Sequence, residues 1–148
     1  SEAEKEKAEA LPPGGKEKIL IAEDDETVRR LGKRILEKAG YTVEAANDGA
    51  EALEMVRKDS HSFDMVILDI VMPKLSGDEA YKQMQKIRPD IKALFASGYS
   101  NHAVRINRLR DSASHFIQKP FSPSDLLRTV RDLLDKTPEE EPKDLSSQ

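Results

Sequence analysis

Short apolar runs alternate with longer amphipathic stretches through most of this chain, and the alternation begins at Lys18. A short apolar run between turn signals is typical of a strand, and an amphipathic stretch is typical of a helix. Three of the runs are apolar throughout, as expected of parallel strands covered by helices on both faces. Two are more polar, as expected of edge strands. The five predicted strands are residues 19–22, 41–45, 65–68, 93–96 and 115–118.

Apolar residues at helical spacing follow each predicted strand and predict five helices. Four helices have a clear apolar stripe, formed by Val28, Leu31, Ile35 and Ala39, by Leu53 and Val56, by Ala80, Met84 and Ile87, and by Leu126, Val130, Leu133 and Leu134. The fourth helix in chain order, predicted from Asn101 to Asp111, has only Val104, Ile106 and Leu109. Such thin apolar anchoring makes it the candidate moving part.

Ten alternating elements leave few topologies, because crossovers between parallel strands are right-handed. The commonest five-stranded arrangement has the order 2-1-3-4-5 with helices on both faces. We therefore expect an α/β fold with a doubly wound parallel sheet in that order. Strands 1, 3, 4 and 5 are then contiguous, so residues at their carboxyl ends converge on one crevice.

The two ends of the chain differ in composition from the middle. Residues 1–17 contain a Pro-Pro-Gly-Gly run at positions 12–15 and are predicted to be a flexible linker, and residues 136–148 are predicted to be a disordered acidic tail. Each end carries a net charge of −2, so residues 18–135 are neutral although the whole chain has a charge of −4. One domain is therefore expected over residues 18–135.

Composition excludes several classes of function. A neutral domain lacks the basic face that a nucleic-acid binder needs, and no apolar stretch approaches the roughly 18 residues that span a bilayer. The absence of Cys excludes disulfides, thiol catalysis and thiolate metal sites, and it fits a cytoplasmic location. The glycine-rich signatures of dinucleotide and P-loop nucleotide binding are also absent.

Polar side chains follow four of the five predicted strands. Strand 1 is followed by Glu23 and Asp24, strand 3 by Asp69, strand 4 by Ser97, and strand 5 by Lys119. Each residue alone is more typical of a helix cap, a turn or an exposed charge. Together at one edge, carboxylates of neighbouring strands would repel unless a cation lay between them, and Mg²⁺ prefers such ligands. The set therefore predicts a magnesium site that positions a phosphoryl group, with a carboxylate as the candidate nucleophile.

The same residues resemble the receiver domain of two-component response regulators, which has a flavodoxin-like fold. The resemblance covers residues 18 to about 135 and rests on five segments in the family's order: residues 19–25, residues 66–73, Gly77, Ser97-Gly98 and Lys119-Pro120. One departure is mild, since the acidic pair is Glu-Asp rather than Asp-Asp. Lys119-Pro120 matches the position of the family's cis peptide bond.

The resemblance implies a role for each residue. Asp69 would be the phosphoacceptor, and Lys119 and Ser97 would contact the phosphoryl oxygens. Asp25 would belong to the first helical turn rather than to the metal site. The implied Mg²⁺ site has Asp24, Asp69 and the backbone carbonyl of Val71 as ligands, with Glu23 acting through water. The implied switch residues are Ser97 and Phe116.

The resemblance also implies partners and an output. The phosphodonor would be a histidine kinase or a histidine phosphotransfer domain. The switching surface would combine the fourth helix, the fifth strand and the fifth helix, and this face is also a candidate homodimer interface. The start at Ser1 rather than Met and the Pro/Gly linker favour a receiver cut from a hybrid sensor histidine kinase over a stand-alone regulator.

Two alternatives stay open from the residues. A magnesium-dependent phosphohydrolase is disfavoured because Val71 stands where such an enzyme has a second acid, two residues after the nucleophile. A receiver-like interaction module that is never phosphorylated is disfavoured because the acceptor set is complete.

The side chains of Val71 and Tyr99 lack an amide or an acid that could orient an attacking water. We therefore expect at most slow self-dephosphorylation.

Overall fold

The computed structural model describes residues 11–98 and 114–137, which form five strands and four helices. The strands are β1 (Lys18–Ala22), β2 (Thr42–Ala46), β3 (Met65–Asp69), β4 (Lys92–Ser97) and β5 (Ser114–Gln118). The helices are α1 (Glu26–Lys38), α2 (Gly49–Lys58), α3 (Gly77–Ile87) and α4 (Pro123–Asp135). Helix α4 is the fifth helix of the sequence prediction, because the helix predicted from Asn101 to Asp111 lies outside the described residues.

The sheet is parallel throughout and has the strand order β2-β1-β3-β4-β5, which confirms the predicted topology. Strands β3 and β4 run one residue further than predicted, so Asp69 and Ser97 are the last residues of their strands. In the register, Asp69 lies opposite Ala96 and Ser97 lies opposite Gln118. The carboxyl edge of the sheet therefore brings the predicted site residues of neighbouring strands together.

Helices cover both faces of the sheet, and each face has its own apolar core. Helices α2 and α3 pack on one face through Leu53, Val56, Ala80, Tyr81 and Met84. Helices α1 and α4 pack on the other through Ile35, Leu36, Leu126, Val130 and Leu133. The alternating side chains of the strands supply both cores, as the two-residue period of a strand requires.

Three of the described helices begin at a side-chain cap within four residues of the preceding strand. Asp25 Oδ1 accepts a hydrogen bond from Val28 N at 3.1 Å and so caps α1, in agreement with its predicted place at the helix start. Asp48 caps α2, and Ser122 caps α4 with a proline at the first helical position. Because β1 ends at Ala22 and α1 begins at Glu26, only three residues separate them, and two of these are predicted metal ligands.

The buried stripe of α1 differs from the predicted one at Leu31, which is 49% exposed. The residues that α1 buries are Gly32, Ile35 and Leu36. A Cβ at Gly32 would lie 2.6 Å from Cδ1 of Ile21, so the glycine allows α1 to approach β1 closely. The helix is therefore turned so that Gly32 faces the sheet and Leu31 faces outward.

Part of the segment predicted as a linker lies against the domain. Gly15 N donates to Ala39 O at 3.2 Å, and Glu17 O accepts from Thr42 N at 3.1 Å. The domain boundaries at residues 17 and 136 stay predictions. Within residues 11–98 and 114–137, no helix is long and apolar enough to cross a membrane.

Candidate functional site

Three carboxylates meet at the carboxyl edge of the sheet. Glu23 and Asp24 follow β1, and Asp69 ends the neighbouring strand β3. One carboxylate oxygen from each residue lies within 4.8 Å of the others. Glu23 and Asp69 are buried, with exposures of 4% and 6%, whereas Asp24 is exposed. The structure thus brings together the three side chains that the sequence assigns to the metal site.

Lys119 reaches into this cluster from the connection between β5 and α4. Its Nζ lies 2.7 Å from Glu23 Oε1 and 3.1 Å from Asp69 Oδ2. Its backbone N donates to Ser97 O at 2.8 Å, and the Lys119-Pro120 peptide bond is cis, as the resemblance implies. Burial alone would lower the pKa of the Lys119 ammonium, but the hydrogen bonds and charges of Glu23 and Asp69 outweigh burial and raise it. Lys119 is therefore a positive charge at neutral pH.

The described side chains of the cluster carry more negative than positive charge. Among residues 11–98 and 114–137, the three carboxylates of the cluster share the Lys119 ammonium. Partial burial of the carboxyl group, together with the neighbouring Glu23 carboxylate, raises the pKa of Asp24. A group of oxygen ligands with surplus negative charge is suited to a hard divalent cation such as Mg²⁺.

The acidic segment after β1 is held by contacts that the sequence did not reveal. Arg29, on the first turns of α1, donates from Nη1 to Glu23 O at 2.9 Å. Asp25 N donates to Glu23 Oε2 at 3.2 Å. These bonds fix both the backbone and the carboxylate of Glu23. An arginine six residues after an acid has no distinctive sequence pattern, so only the fold shows this contact.

The segment after Asp69 makes a tight turn whose shape depends on glycines. A Cβ at Gly77 would lie 2.2 Å from Asp69 O, and a Cβ at Gly49 would lie 2.1 Å from Leu75 O. Within this turn Lys74 has a φ of 69°, and Leu75 N donates to Pro73 O at 2.8 Å, which forms a γ-turn. Two close backbone approaches therefore hold the loop that carries Val71.

Val71 lies in this loop with an exposure of 55%. Its backbone carbonyl is the fourth implied metal ligand, and its side chain is apolar. The residue two positions after Asp69 is therefore a valine and not an acid.

Ser97 and Phe116 lie on the two strands beyond β3. Ser97 is 1% exposed and ends β4, directly beside β3. Phe116 lies on β5 opposite Phe95, is half-buried, and packs against the core beneath α2 and α3. Their role as switch residues stays a prediction. Tyr99 lies outside the described residues.

An apolar surface borders the site beside Lys119. A cavity of about 290 Å³ is lined by Val28, Leu31, Lys119, Pro120 and Phe121. Leu31 also borders the neighbouring groove, which is lined by residues that include Arg30 and Arg34. The sequence prediction missed this surface because it assigned Leu31 to the core.

Comparisons with known proteins show which sequences this chain resembles. Residues 19–131 match the family model described as the response regulator receiver domain. The sensor kinase CckA of Brucella abortus is 38% identical over 133 residues, which are 90% of this chain and 14% of that protein. The response regulator MprA of Mycobacterium leprae is 38% identical over 120 residues, which are 81% of this chain and 52% of that protein.

Solved structures show the same similarity. The Vibrio cholerae chemotaxis protein CheY4 has a TM-score of 0.72 and 29% identity, with 80% of this chain and 99% of that chain covered. The receiver domain from the hybrid histidine kinase CckA has a TM-score of 0.68 and 29% identity, with 80% and 99% covered. The chain spans about half, or less, of the curated relatives it matches.

Proposed function

Because this chain belongs to the response regulator receiver family of two-component signalling, we propose that Asp69 accepts a phosphoryl group from a phosphohistidine with the help of Mg²⁺. The observation that carries the proposal is the placement of Asp69. Its carboxylate is buried, lies 3.1 Å from the Lys119 ammonium, and shares the cluster with Glu23 and Asp24. A carboxylate held beside a fixed cation is suited to meet an incoming phosphoryl group.

The proposed transfer is a single displacement at phosphorus. A carboxylate oxygen of Asp69 forms a bond to phosphorus while the bond from phosphorus to the histidine nitrogen breaks. The electron pair of the broken bond stays on the imidazole nitrogen of the donor. The product is an acyl phosphate on Asp69, and the donor histidine is returned to its free form.

The side chains fit Mg²⁺ because they supply oxygen ligands and an excess of negative charge. Glu23, Asp24, Asp69 and the backbone carbonyl of Val71 would hold the ion. When bound, Mg²⁺ would offset the repulsion between the attacking carboxylate and the phosphoryl oxygens. Lys119 supplies a second, covalently attached positive charge beside Asp69, which would pair with a phosphoryl oxygen.

Ser97 and Phe116 are the proposed switch. The hydroxyl of Ser97 donates to a phosphoryl oxygen, and the half-buried Phe116 ring turns into the space that the loop after β4 leaves. The proposed output surface comprises β5, α4 and the segment from Asn101 to Asp111. The last of these lies outside the described residues. A homodimer through this face is part of the same hypothesis.

A phosphohistidine is carried by a protein, so the partner must cover the rim of the site. Leu31 is a large apolar side chain that is 49% exposed and lines the cavity beside Lys119, and Val71, two residues after Asp69, is 55% exposed. Burial of apolar surface is the main favourable term in most associations between proteins. A histidine kinase or a phosphotransfer domain that packs on α1 beside Lys119 is therefore the proposed donor.

We also propose that this receiver is part of a hybrid sensor histidine kinase that acts in the cytoplasm. The support is the similarity of 90% of the chain to a segment of a sensor kinase. The absence of cysteine is compatible with a reducing compartment.

Phosphate transfer followed by borohydride reduction tests the function. A histidine-phosphorylated donor domain is incubated with the chain and Mg²⁺, and the product is reduced and digested. Reduction of an acyl phosphate converts the aspartate to homoserine, so mass spectrometry should find homoserine at position 69. Homoserine at another aspartate, or none after transfer, would refute Asp69 as the acceptor.

A further inference from the structure

Arg131 of α4 joins the start of the described chain to the end of the last helix. Its Nη1 donates to Gly14 O at 3.1 Å and to Tyr41 Oη at 3.2 Å. Its Nη2 donates to Glu17 Oε2 at 2.5 Å and to Asp135 Oδ1 at 2.8 Å, and Nη1 also reaches Glu17 Oε1 at 3.1 Å. The guanidinium thus binds both oxygens of the Glu17 carboxylate, the geometry that gives arginine pairs their specificity.

Residues 14–17, here called the strap, also dock through their backbone. Gly15 N donates to Ala39 O at 3.2 Å. A Cβ at Gly14 would lie 1.8 Å from Ala39 O, and a Cβ at Gly40, which has a φ of 104°, would lie 2.5 Å from Gly15 O. The strap therefore lies in van der Waals contact with the turn after α1, and only glycines permit this approach.

The strap is held by ionic as well as steric contacts. Hydrogen bonding from Arg131 lowers the pKa of Glu17, although partial burial opposes the change. Burial raises the pKa of Tyr41, which keeps its hydroxyl protonated beside the guanidinium. Glu17 and Arg131 are therefore both charged at neutral pH. Their ion pair is partly shielded from water, because the Arg131 side chain is only 17% exposed.

Helix α4 connects this strap to the phosphoacceptor site. The helix is capped by Ser122, three residues after Lys119, and Arg131 lies in its last turns. Its 13 residues span about 20 Å, and Leu126, Leu127, Val130 and Leu133 bury one face in the core. The active-site lysine therefore lies in the short connection just before this helix, and the strap contacts lie near the helix's other end.

We propose that the strap is a clamp that favours the position of α4 in which Lys119 is paired with the Asp69 carboxylate, so that phosphorylation of Asp69 loosens the strap. The proposal rests on the phosphoacceptor function. A phosphoryl group adds acceptor oxygens beyond the present carboxylate and draws the Lys119 ammonium outward. Movement of Lys119 shifts α4 through the short connection between them. The Arg131 guanidinium then loses its alignment with the Glu17 carboxylate, because bidentate bonds require a fixed geometry.

Thermodynamic reciprocity gives the clamp a second consequence. If phosphorylation weakens the strap, removal of the strap contacts must favour the phosphorylated arrangement. Beryllofluoride, a reversible analogue of an aspartyl phosphate, is the probe, and NMR titration of the amides in Mg²⁺ buffer gives its half-saturating concentration. Arg131→Gln and Glu17→Gln should each lower that concentration about threefold.

Arg57→Gln is the control. Arg57 lies on α2, which packs on the other face of the sheet, and its described ion pair is with Glu54 rather than with the strap. Its substitution should leave the half-saturating concentration unchanged. Glu17→Gln provides a second test from the strap side if Arg131→Gln reduces folding.

Hydrogen exchange tests the first consequence directly. In wild-type protein, beryllofluoride should raise exchange at the amides of Gly15 and Lys16 at least threefold, and Arg131→Gln should raise it without the probe. Unchanged exchange on binding, or unchanged half-saturation in both variants, would overturn the clamp alone. Failure of wild-type protein to bind beryllofluoride or to accept phosphate would instead overturn the phosphoacceptor function and the clamp with it.

Discussion

Lys119 Nζ lies 3.1 Å from Asp69 Oδ2, so that a residue after β5 contacts the last residue of β3 across the end of the intervening strand β4. The same ammonium lies 2.7 Å from Glu23 Oε1, which extends the contact to β1. One side chain therefore links three strands at the edge where the acceptor lies. A change in the charge on Asp69 must alter these contacts first.

Lys119→Gln should slow phosphorylation of Asp69 by a small phosphodonor about 10- to 100-fold, because a charge-assisted hydrogen bond contributes roughly 1.5 to 3 kcal/mol. The rate is measured by intact mass after addition of acetyl phosphate in Mg²⁺ buffer. Lys82→Gln, an exposed lysine on α3 that pairs with Glu79, is the control and should have no effect. A Lys119→Gln rate within twofold of wild type would contradict the proposed role of the ammonium.

Asp24→Asn should separate stability from function. Three carboxylates within 4.8 Å share one ammonium, so the substitution relieves repulsion in Mg²⁺-free buffer. We expect the free energy of unfolding to rise by about 0.5 to 1 kcal/mol, a modest gain because water screens the exposed Asp24. Urea unfolding measures it, and Asp132→Asn on the exposed side of α4 is the control.

The same Asp24→Asn variant should need at least tenfold more Mg²⁺ for half-maximal phosphorylation, since it loses a proposed ligand. Lower stability together with an unchanged Mg²⁺ requirement would show that Asp24 is a structural residue instead.

Leu31→Asp should impair transfer from a protein donor and spare the reaction with acetyl phosphate. Leu31 is 49% exposed and lines the cavity beside Lys119, where a docked partner would bury it. The expected loss is at least fivefold in the transfer rate from a histidine-phosphorylated domain at subsaturating concentration, the effect of about 1 kcal/mol at an interface.

Ile87→Asp is the matched control for Leu31, because Ile87 is 37% exposed at the far end of α3, away from the carboxyl edge of the sheet. Equal effects of the two substitutions, or equal loss with both donors, would rule out a docking role for Leu31.

Val71→Asn should shorten the lifetime of the acyl phosphate. Val71 is 55% exposed two residues after Asp69, and we expect an amide there to orient an attacking water that the apolar side chain cannot. We expect about tenfold faster loss of phosphate, which corresponds to about 1.4 kcal/mol. Decay is followed by intact mass after removal of the donor, and Val71→Leu should retain the wild-type lifetime. Equal lifetimes for Asn and Leu would exclude this explanation of slow dephosphorylation.

The sheet order could be predicted because ten alternating elements leave few topologies and 2-1-3-4-5 is the commonest of them. The meeting of Asp69 and Lys119 could be predicted because each directly follows a predicted strand. Parallel pairing then requires the strand ends to meet, so no knowledge of side-chain packing is needed to place Lys119 beside Asp69.

Two features could not be predicted because they depend on packing. Leu31 has the spacing of a core residue, and only the close approach of Gly32 to Ile21 turns it outward. Gly14 and Gly15 have the composition of a linker, and their docking depends on Arg131, which lies more than 100 positions later. Glycine permits both flexibility and close packing, and composition alone does not distinguish the two.

The central claim is that Asp69 is the residue that accepts phosphate, and intact mass after incubation with acetyl phosphate and Mg²⁺ tests it most directly. The account predicts that wild-type protein gains the mass of one phosphoryl group and that Asp69→Asn, with its fold retained, gains none. No adduct on the wild-type protein, or the same adduct on Asp69→Asn, would contradict it.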